Sequence, residues 1–406
     1  MKKLSLTNFI ITIIICSCQN NLDHQSRSDS ADEFNNSETA SNIEPVPVSF
    51  VSKMPVSEIS PKKTPIRKTF QPVTGKTLKD AYKDYFPIGA AVNDEIDMNN
   101  DTVRNFISTQ YSSITLRRSL QPMKVHPQQN VYNWTLPDKA IRFAQDNNLK
   151  VRGHCLVYYL DGHTPKWMFQ KNGAGVTKDT LLQRMHDHIN AVVSRYKGKV
   201  YCWDVVNEAL SRNPGELFRN DSDLFYKIIG SDYVEKAFEY AHAADPTAKL
   251  FYNDDFQTED FFDKTFEYLK KLKAKGVPID GVGIQCHLKP NGIKASQLQE
   301  FIDKFSSIGL QVQLTELDVS IYQKPFDKSS SDEYTAGIQE KQRQVYKTIF
   351  DVCRKNKGKV TGTTFWGYAD NDGLNSLTQK YNKKNYPFLF DKQLKPKSFY
   401  SDIVNF

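Results

Sequence analysis

The sequence lacks a dense block of basic residues, although its formal charge is positive. Its 406 residues include 54 Lys and Arg against 47 Asp and Glu, a net charge of +7, and these residues are spread along the chain. Nucleic-acid-binding domains concentrate basic residues on one face, and no RNA-binding signature is present. The composition therefore argues against nucleic acid as a partner and indicates a soluble, mildly basic surface.

Cysteine is scarce, and the six cysteines do not follow a zinc-binding spacing. Two of them lie within the first twenty residues, and the other four are Cys155, Cys202, Cys286 and Cys353. The first three of these four fall in predicted core strands, where cysteine behaves as a small buried hydrophobe. An exported chain can form disulfides, but nothing in the sequence pairs these residues.

Histidine is also sparse, with eight residues in the chain. His186 and His188 are two residues apart on a predicted helix, so they point to different sides and cannot share an ion. We therefore predict no metal and no other cofactor.

The apolar run at the N-terminus is too short to cross a membrane. In "MKKLSLTNFIITIIICSCQN" a Lys pair precedes an apolar run that ends in small residues and cysteine, which is typical of an export signal. The segment "ICSC" resembles a bacterial lipoprotein cleavage box before Cys18, whereas Cys16 fits less well because the bulky Ile15 precedes it. Residues 1–18 are thus predicted to be a lipoprotein signal with Cys18 as the lipidated residue. The alternative is a plain, cleaved signal peptide.

Residues 19–75 contain few apolar side chains and are rich in Ser, Asn, Asp, Pro and Lys. Such a segment cannot bury enough apolar surface to offset the entropy of ordering it. We predict a flexible tether between the lipid and a folded domain at residues 76–406. The expected location is the bacterial outer membrane or cell surface, with the protein held by its lipid.

Past residue 80, short β-rich runs alternate with longer amphipathic stretches. Helix-like segments such as "TLLQRMHDHINAVVSRY" and "SDEYTAGIQEKQRQVYKTIFDVCRK" separate the runs. Eight such units predict an α/β fold, the (β/α)8 TIM barrel. The alternative is an open, doubly wound sheet, although no Gly-rich dinucleotide fingerprint follows the first run. The predicted strands are residues 86–92, 112–116, 150–157, 200–207, 249–254, 281–287, 310–318 and 362–368.

Two glutamates lie at the ends of predicted strands. Glu208 ends the fourth run, and Glu316 lies near the end of the seventh. Active sites of such barrels lie at the carboxyl ends of the strands, and strands four and seven stand roughly opposite each other. Two glutamates that face each other across the mouth are the groups that retaining glycoside hydrolysis requires. The alternative is that both are structural residues in ion pairs.

Other polar and aromatic side chains end on the same rim. They are Asn207, Gln285, His287, Asp318 and Trp366. Each alone is compatible with a purely structural role, such as a buried histidine or a packing tryptophan. Together they favour a sugar-binding site over isolated ion pairs.

Four segments, "WDVVNEA", "GVGIQCH", "TELDV" and "TFWG", resemble the successive strand signatures of glycoside hydrolase family 10, the endo-β-1,4-xylanases. The resemblance covers about residues 80–406, and "FPIGAAV", "RGH" and "YND" agree with it. It implies that Glu208 is the acid/base and Glu316 the nucleophile. The two pKa values should then be pushed apart, since one group is protonated when the other is ionised.

The same resemblance implies the roles of the neighbouring residues. Asn207 donates to the sugar 2-hydroxyl, and His287 with Asp318 holds and tunes the nucleophile. Gln285 lines the site, and Trp366 stacks beneath the sugar at the bond that is cleaved. His154, in "RGH", takes a supporting position.

The second predicted strand departs from the family. The usual Glu-Asn-x-Met-Lys pattern is replaced by "LRRSLQPMK", so that Arg117 and Arg118 stand where Glu and Asn are expected. A guanidinium suits a carboxylate or sulfate, which predicts a glycan with an acidic group on its non-reducing side. Since adjacent strand residues face opposite ways, at most one arginine should reach the sugar, and we assign Arg117 to substrate binding. The alternative is that both point outward or pair with acids such as Asp161.

The third strand differs as well. Tyr158 and Tyr159 replace the family's Trp and His, and two extra residues precede Thr164. We assign Tyr159 to substrate binding, and His163 is either a loop residue or a returned imidazole. These changes, with both glutamates retained, favour altered specificity over loss of activity.

The sequence thus predicts an exported retaining glycoside hydrolase, with endo-β-1,4-xylanase as the named activity. One alternative is a hydrolase for another β-linked glycan, acidic or neutral, and the other is a surface lipoprotein that binds glycans without cleaving them. The expected partners are a polysaccharide or oligosaccharide substrate and, through the lipid, a membrane. We expect a monomer.

Overall fold

Eight parallel strands form a closed barrel, as predicted. A computed structural model describes residues 75–160, 162–256, 258–323, 331–370 and 383–406. Each strand pairs with the next along the chain, and the last strand pairs with both the seventh and the first, which closes the barrel. The strands are β1 Ile88–Val92, β2 Ser113–Leu116, β3 Lys150–Tyr158, β4 Cys202–Asn207, β5 Lys249–Asp254, β6 Gly281–Ile284, β7 Gln311–Val319 and β8 Val360–Phe365.

The intervening segments contain the amphipathic helices. The two long helical segments quoted above form Lys178–Arg195 and Ala336–Lys355. Each begins after a threonine that caps it: Thr177 accepts from the Thr180 N–H, and Thr335 from the Ile338 N–H. The helices are α1 Leu78–Tyr82, α2 Asp101–Gln110, α3 Pro122–Val125, α4 Thr135–Asp146, α5 Lys178–Arg195, α6 Leu224–Ile229, α7 Asp232–Ala244, α8 Glu259–Ala274, α9 Ala295–Ser307, α10 Ala336–Lys355 and α11 Tyr400–Val404.

The sixth predicted run is interrupted in the structure. The strand ends at Ile284, and Cys286 adopts a left-handed backbone with φ of 63°. The chain then returns to the barrel at His287–Leu288, where His287 pairs with Asp318 of β7. This break places the His287 side chain beside the end of β7, at the predicted site.

The barrel interior holds a buried ion pair as well as apolar side chains. Arg152 of β3 donates to Asp204 of β4 through two nitrogens, and it donates to the Gln313 side chain of β7 at 2.7 Å. Beside it, Gly153 leaves room for the Trp203 ring, which a Cβ at that position would approach to 2.1 Å. Polar groups therefore connect three strands across the core, and each charge has a partner.

The predicted signal, the tether and Cys18 lie outside the described residues. Within the part that is described, no helix is long and apolar enough to cross a membrane. Cys155, Cys202, Cys286 and Cys353 are buried free thiols.

Candidate active site

The two predicted carboxylates both lie at the carboxyl end of the barrel. Glu208 directly follows β4 and is half-buried, whereas Glu316 lies within the last part of β7 and is only 4% exposed. Glu208 has a left-handed backbone with φ of 55°, and its N–H donates to the Asn253 carbonyl at 2.9 Å. The β4 chain therefore turns sharply where Glu208 leaves the strand.

Glu316 is held as a carboxylate by its neighbours. The Asn253 side chain donates to Oε1 at 2.7 Å, and His287 Nε2 lies 3.1 Å from Oε2. Burial alone raises the pKa of Glu316, but the His287 hydrogen bond, the charges of His154 and His287, and the Asn253 hydrogen bond outweigh it. The net result is a lowered pKa, so Glu316 is ionised when the site is at neutral pH.

His287 bridges two carboxylates. Its Nδ1 lies 3.0 Å from Asp318 Oδ2, while Nε2 faces Glu316. Burial by itself lowers the pKa of His287, but the charges and hydrogen bonds of Asp318 and Glu316 raise it well above its usual value. An imidazolium that donates from both nitrogens therefore fixes the orientation of Glu316.

Glu208 accepts hydrogen bonds from two amide side chains. Gln285 Nε2 donates to Glu208 Oε1 at 2.9 Å, and Asn207 Nδ2 is 3.4 Å from the same oxygen. The backbone carbonyl of Glu208 accepts from Arg219 Nε at 3.2 Å. The structure thus brings Asn207, Gln285 and Glu208 into contact, as the sequence predicted.

Asn253 is a site residue that the sequence argument did not single out. Its Nδ2 donates both to Glu316 and, at 2.8 Å, to Asn207 Oδ1, while Thr315 donates to its Oδ1 at 2.6 Å. Asn253 and Asn207 therefore link the two glutamates through amide side chains. The signal was present in the segment "YND", which ends β5.

Asp254, the next residue, was also missed. It is buried, accepts from the Tyr252 hydroxyl at 2.6 Å and pairs with Arg212 at 3.1 Å. Burial raises the pKa of Asp254 to about 7, the charge of Glu208 adds to the rise, and Arg212 opposes it. The protonation of Asp254 therefore responds to the charge of Glu208.

His154 lies beneath the mouth. Its Nδ1 is 3.0 Å from Asp204 Oδ2, and its ring centre is 5.2 Å from that of Trp366. Burial lowers the pKa of His154, but the hydrogen bond to Asp204 and the charge of Glu316 raise it overall. The structure thus places His154 between the buried ion pair and the candidate site.

Arg117 does not occupy the position that we predicted. Its side chain is 5% exposed, the guanidinium lies 5.4 Å from the centre of the Trp366 ring, and one nitrogen donates to the Trp366 carbonyl. The sequence pattern could not show this, because Trp366 follows β8, which is remote along the chain but adjacent around the barrel. Arg117 therefore supports Trp366 rather than opening toward a sugar carboxylate.

Tyr159 lies on the other side of the mouth. It is half-buried and packs against the Arg219 guanidinium at 4.9 Å, beside Glu208. His163 is a loop residue whose Nδ1 lies 3.1 Å from Gln121 Oε1 and whose ring contacts Tyr158. The substrate-binding role of Tyr159 stays a prediction.

Comparison with known proteins identifies the family. The model of glycosyl hydrolase family 10 matches residues 77–406. A β-1,4-xylanase of Dictyoglomus thermophilum is 42% identical over 335 residues, which is 81% of this chain and 91% of the relative. A crystal structure of a xylanase from Paenibacillus barcinonensis has a TM-score of 0.76 and 33% identity, over 81% of this chain and 98% of that chain. An endo-1,4-β-xylanase from Caldicellulosiruptor owensensis gives a TM-score of 0.75 and 36% identity, over 81% and 99%. The chain therefore belongs to glycosyl hydrolase family 10 and is a glycoside hydrolase similar to the endo-1,4-β-xylanases.

Proposed function

We propose that this protein is a retaining endo-β-1,4-xylanase with Glu316 as nucleophile and Glu208 as acid/base. The observation that carries the proposal is the state of Glu316, a buried carboxylate kept ionised by His287 and Asn253. A nucleophilic carboxylate must be unprotonated when it attacks, and burial alone would favour the protonated form. The surrounding donors thus counter the effect of burial.

The proposed reaction has two steps. In the first, Glu208 gives its proton to the glycosidic oxygen while Glu316 attacks the anomeric carbon, so that the leaving chain departs as an alcohol and a glycosyl ester forms on Glu316. In the second, Glu208 removes a proton from water, and the water oxygen displaces Glu316 from the anomeric carbon. Each step returns Glu208 to the protonation state that the other step needs.

The neighbouring side chains support this assignment of roles. Asn207 Oδ1 is occupied by the Asn253 side chain, which orients the Asn207 NH2 group toward Glu208 and the bound sugar. Asp318 acts on Glu316 through His287, because His287 donates to both carboxylates. Trp366 offers a half-buried ring beside His287, with ring centres 6.2 Å apart, as a surface for the sugar at the cleaved bond.

Xylan is the proposed substrate because the similar proteins are named as xylanases. The test is reducing-sugar release from β-1,4-xylan and from a panel of other plant and algal polysaccharides. We expect release from xylan, and proton NMR of the first product should show the β-anomer, which an inverting enzyme would not form. Release only from another β-linked glycan would replace xylan as the substrate, and no release from any would favour a glycan-binding protein.

A variant of the acid/base distinguishes its role from that of the nucleophile. Glu208→Ala should lose xylan hydrolysis but retain cleavage of an aryl β-xyloside whose leaving group needs no proton. The matched control is Glu239→Ala on the exposed face of α7, which should hydrolyse both substrates normally. Equal loss on the two substrates in Glu208→Ala would argue against the acid/base assignment.

We also propose that the protein is exported and anchored through a lipid on Cys18, with residues 19–75 as a tether. The support is the sequence "ICSC" after a short apolar run. Cys18→Ala should move the protein from the membrane fraction to the soluble fraction without changing its turnover. Unchanged fractionation would contradict the lipid anchor.

A further inference from the structure

Arg118 takes a different direction from Arg117. Arg117 is buried against Trp366, whereas Arg118 is exposed and lines a cavity of about 320 Å³. The walls of this cavity are formed by residues after β1, by the turn and short helix after β2, and by the beginning of α4. They include Asn93, Glu95, Arg118, Lys124 and Asn133.

The cavity contains two cations that have no partner among the residues that the structure describes. Within the described ranges, neither the Arg118 guanidinium nor the Lys124 ammonium makes a side-chain hydrogen bond or an ion pair. Glu95 also lines the cavity, but it lies too far from both cations to form a salt bridge. Two positive charges and one negative charge therefore face the same space.

The remaining carboxylate of the cavity does not neutralise these cations. Asp94 is buried, accepts from the Ser119 N–H at 3.0 Å and is influenced by the charge of Arg117. Burial raises the pKa of Asp94 to about 6, against the effect of its hydrogen bonds and of Arg117. Asp94 therefore interacts with the charge of Arg117. The charges of Arg118 and Lys124 remain available for a ligand.

The position of the cavity relates it to one end of the substrate. Under the proposed function, Glu208 protonates the leaving oxygen, so the leaving chain lies on the side of the mouth that carries β4. The glycone extends toward the opposite side, where β8, β1 and β2 end and where Arg117 contacts Trp366. Arg118 is the next residue, and the cavity thus lies on the glycone side.

We propose that this cavity is a specificity subsite for a carboxylate-bearing sugar, such as a hexuronic acid, on the glycone part of the glycan. Arg118 provides a planar fork of donors for the carboxylate, and Lys124 adds a second charge. Glu95 and the Asn93 and Asn133 amides can pair with the sugar hydroxyls. The inference rests on the proposed function, because it defines which end of the substrate the subsite contacts.

The test uses two β-1,4-xylo-oligosaccharides of equal length. One carries a hexuronic acid on a glycone sugar, and the other carries its methyl ester, which has nearly the same size but no charge. We expect the wild-type protein to show a kcat/KM for the acid that is about tenfold or more above that for the ester. In Arg118→Gln and Lys124→Gln this ratio should fall toward one, and high salt should lower it in the wild-type protein.

The matched control is Arg142→Gln, which removes an exposed arginine from α4 outside the cavity and should keep the wild-type ratio. A wild-type ratio of one with good hydrolysis of both compounds would overturn the subsite and leave the proposed function intact. An equal fall of the ratio in Arg142→Gln would also overturn it, because the effect would then reflect overall charge.

A binding measurement separates the subsite from the reaction. Calorimetric titration of full-length Glu316→Gln with each oligosaccharide should show tighter binding of the acid, and the further change Arg118→Gln should abolish this preference. If the wild-type protein hydrolyses neither compound, the proposed function fails, but this binding comparison still decides the subsite. Equal affinities for acid and ester would refute it.

Discussion

Two pairs of histidines in this barrel have opposite electrostatic environments. His287 at the mouth and His154 beneath it each contact a carboxylate, and both pKa values are raised. His188 of α5 contacts His126, with 3.2 Å between their Nδ1 atoms, and both pKa values are lowered. Burial favours the neutral ring at all four positions. For His154 and His287 the neighbouring carboxylates overcome this effect and raise the pKa.

The surroundings of the second pair explain its neutral state. The His126 ring stacks on Tyr132 at 3.9 Å and packs against Trp167 at 4.5 Å. Burial lowers the pKa of His126 to about 4, and burial together with the charge of His126 lowers that of His188 to about 3. Among the described residues, the Nε2 atoms of both rings are buried without a hydrogen-bond partner. The comparison shows that the acids beside a histidine decide whether its pKa is raised or lowered.

The largest expected effect comes from removing a carboxylate at the mouth. Glu316→Gln should lower hydrolysis by about a thousandfold or more, since the proposed nucleophile is lost. The pKa of His287 should fall as well, because one of its two anionic partners is gone. Steady-state rates and a histidine NMR titration measure the two effects. Glu239→Gln, on the exposed surface, is the control, and a Glu316→Gln protein with near-normal rates would contradict the nucleophile assignment.

The neutral pair should make the protein sensitive to acid. Because the folded pKa values of His126 and His188 are below the usual 6.5, the unfolded chain binds more protons as the pH falls from 6.5 to 4. Each of the two histidines should therefore remove about 3 kcal/mol of the stability that is present above pH 6.5 as the pH falls to 4. Urea unfolding at pH 7, 6, 5 and 4 measures the change.

A neighbouring histidine provides the control for this pH effect. His188→Gln should reduce the slope of unfolding free energy against pH, whatever its effect at pH 7. His186→Gln, on the exposed side of the same helix, should leave the slope unchanged. Identical slopes in the wild type and both variants would show that the buried pair does not titrate with folding.

An effect of intermediate size on kcat/KM is expected when His287 retains only one of its two carboxylate partners. In Asp318→Asn the pKa of His287 should fall, and the pKa of Glu316 should then rise because an imidazolium no longer opposes its burial. We expect kcat/KM at neutral pH to fall roughly tenfold, about 1.4 kcal/mol in the barrier. The acidic limb of the pH profile should move to higher pH. Asp303→Asn on α9 should leave the profile in place, and an unshifted limb in Asp318→Asn would contradict the role of His287.

The smallest effect should come from a distant acid. Asp187 is exposed and slightly raises the pKa of His126 by its charge, without contacting it. Asp187→Asn should change the unfolding free energy at pH 5 by about 0.5 kcal/mol or less. A change as large as that of His188→Gln would mean that contact with a carboxylate is not what distinguishes the two histidine pairs.

The sequence predicts the barrel and both glutamates because these depend on local patterns. Eight β-rich runs gave the strands, and strand-end positions gave Glu208 and Glu316. The break at Cys286 was not predicted, since a left-handed cysteine has no sequence signal of its own.

Contacts between distant segments could not be predicted in the same way. His126 and His188 lie 62 residues apart, and only the folded chain brings their rings together. Asn253 links Asn207 to Glu316 because three neighbouring or opposing strands aim side chains at one point. The direction of Arg117 depended likewise on Trp366, which is 249 residues away.

The divergent positions of Arg117 and Arg118 define how this enzyme can be re-engineered. A library aimed at new glycan preferences can vary Arg118 while the aromatic platform at Trp366 stays in place, because the two side chains do not share a contact. Arg117 has to be fixed or changed together with Trp366, since each is part of the other's support. Arg117 and Arg118, although adjacent in the sequence, thus differ in how readily they can be substituted. A selection experiment that randomises both should accumulate substitutions at residue 118 first.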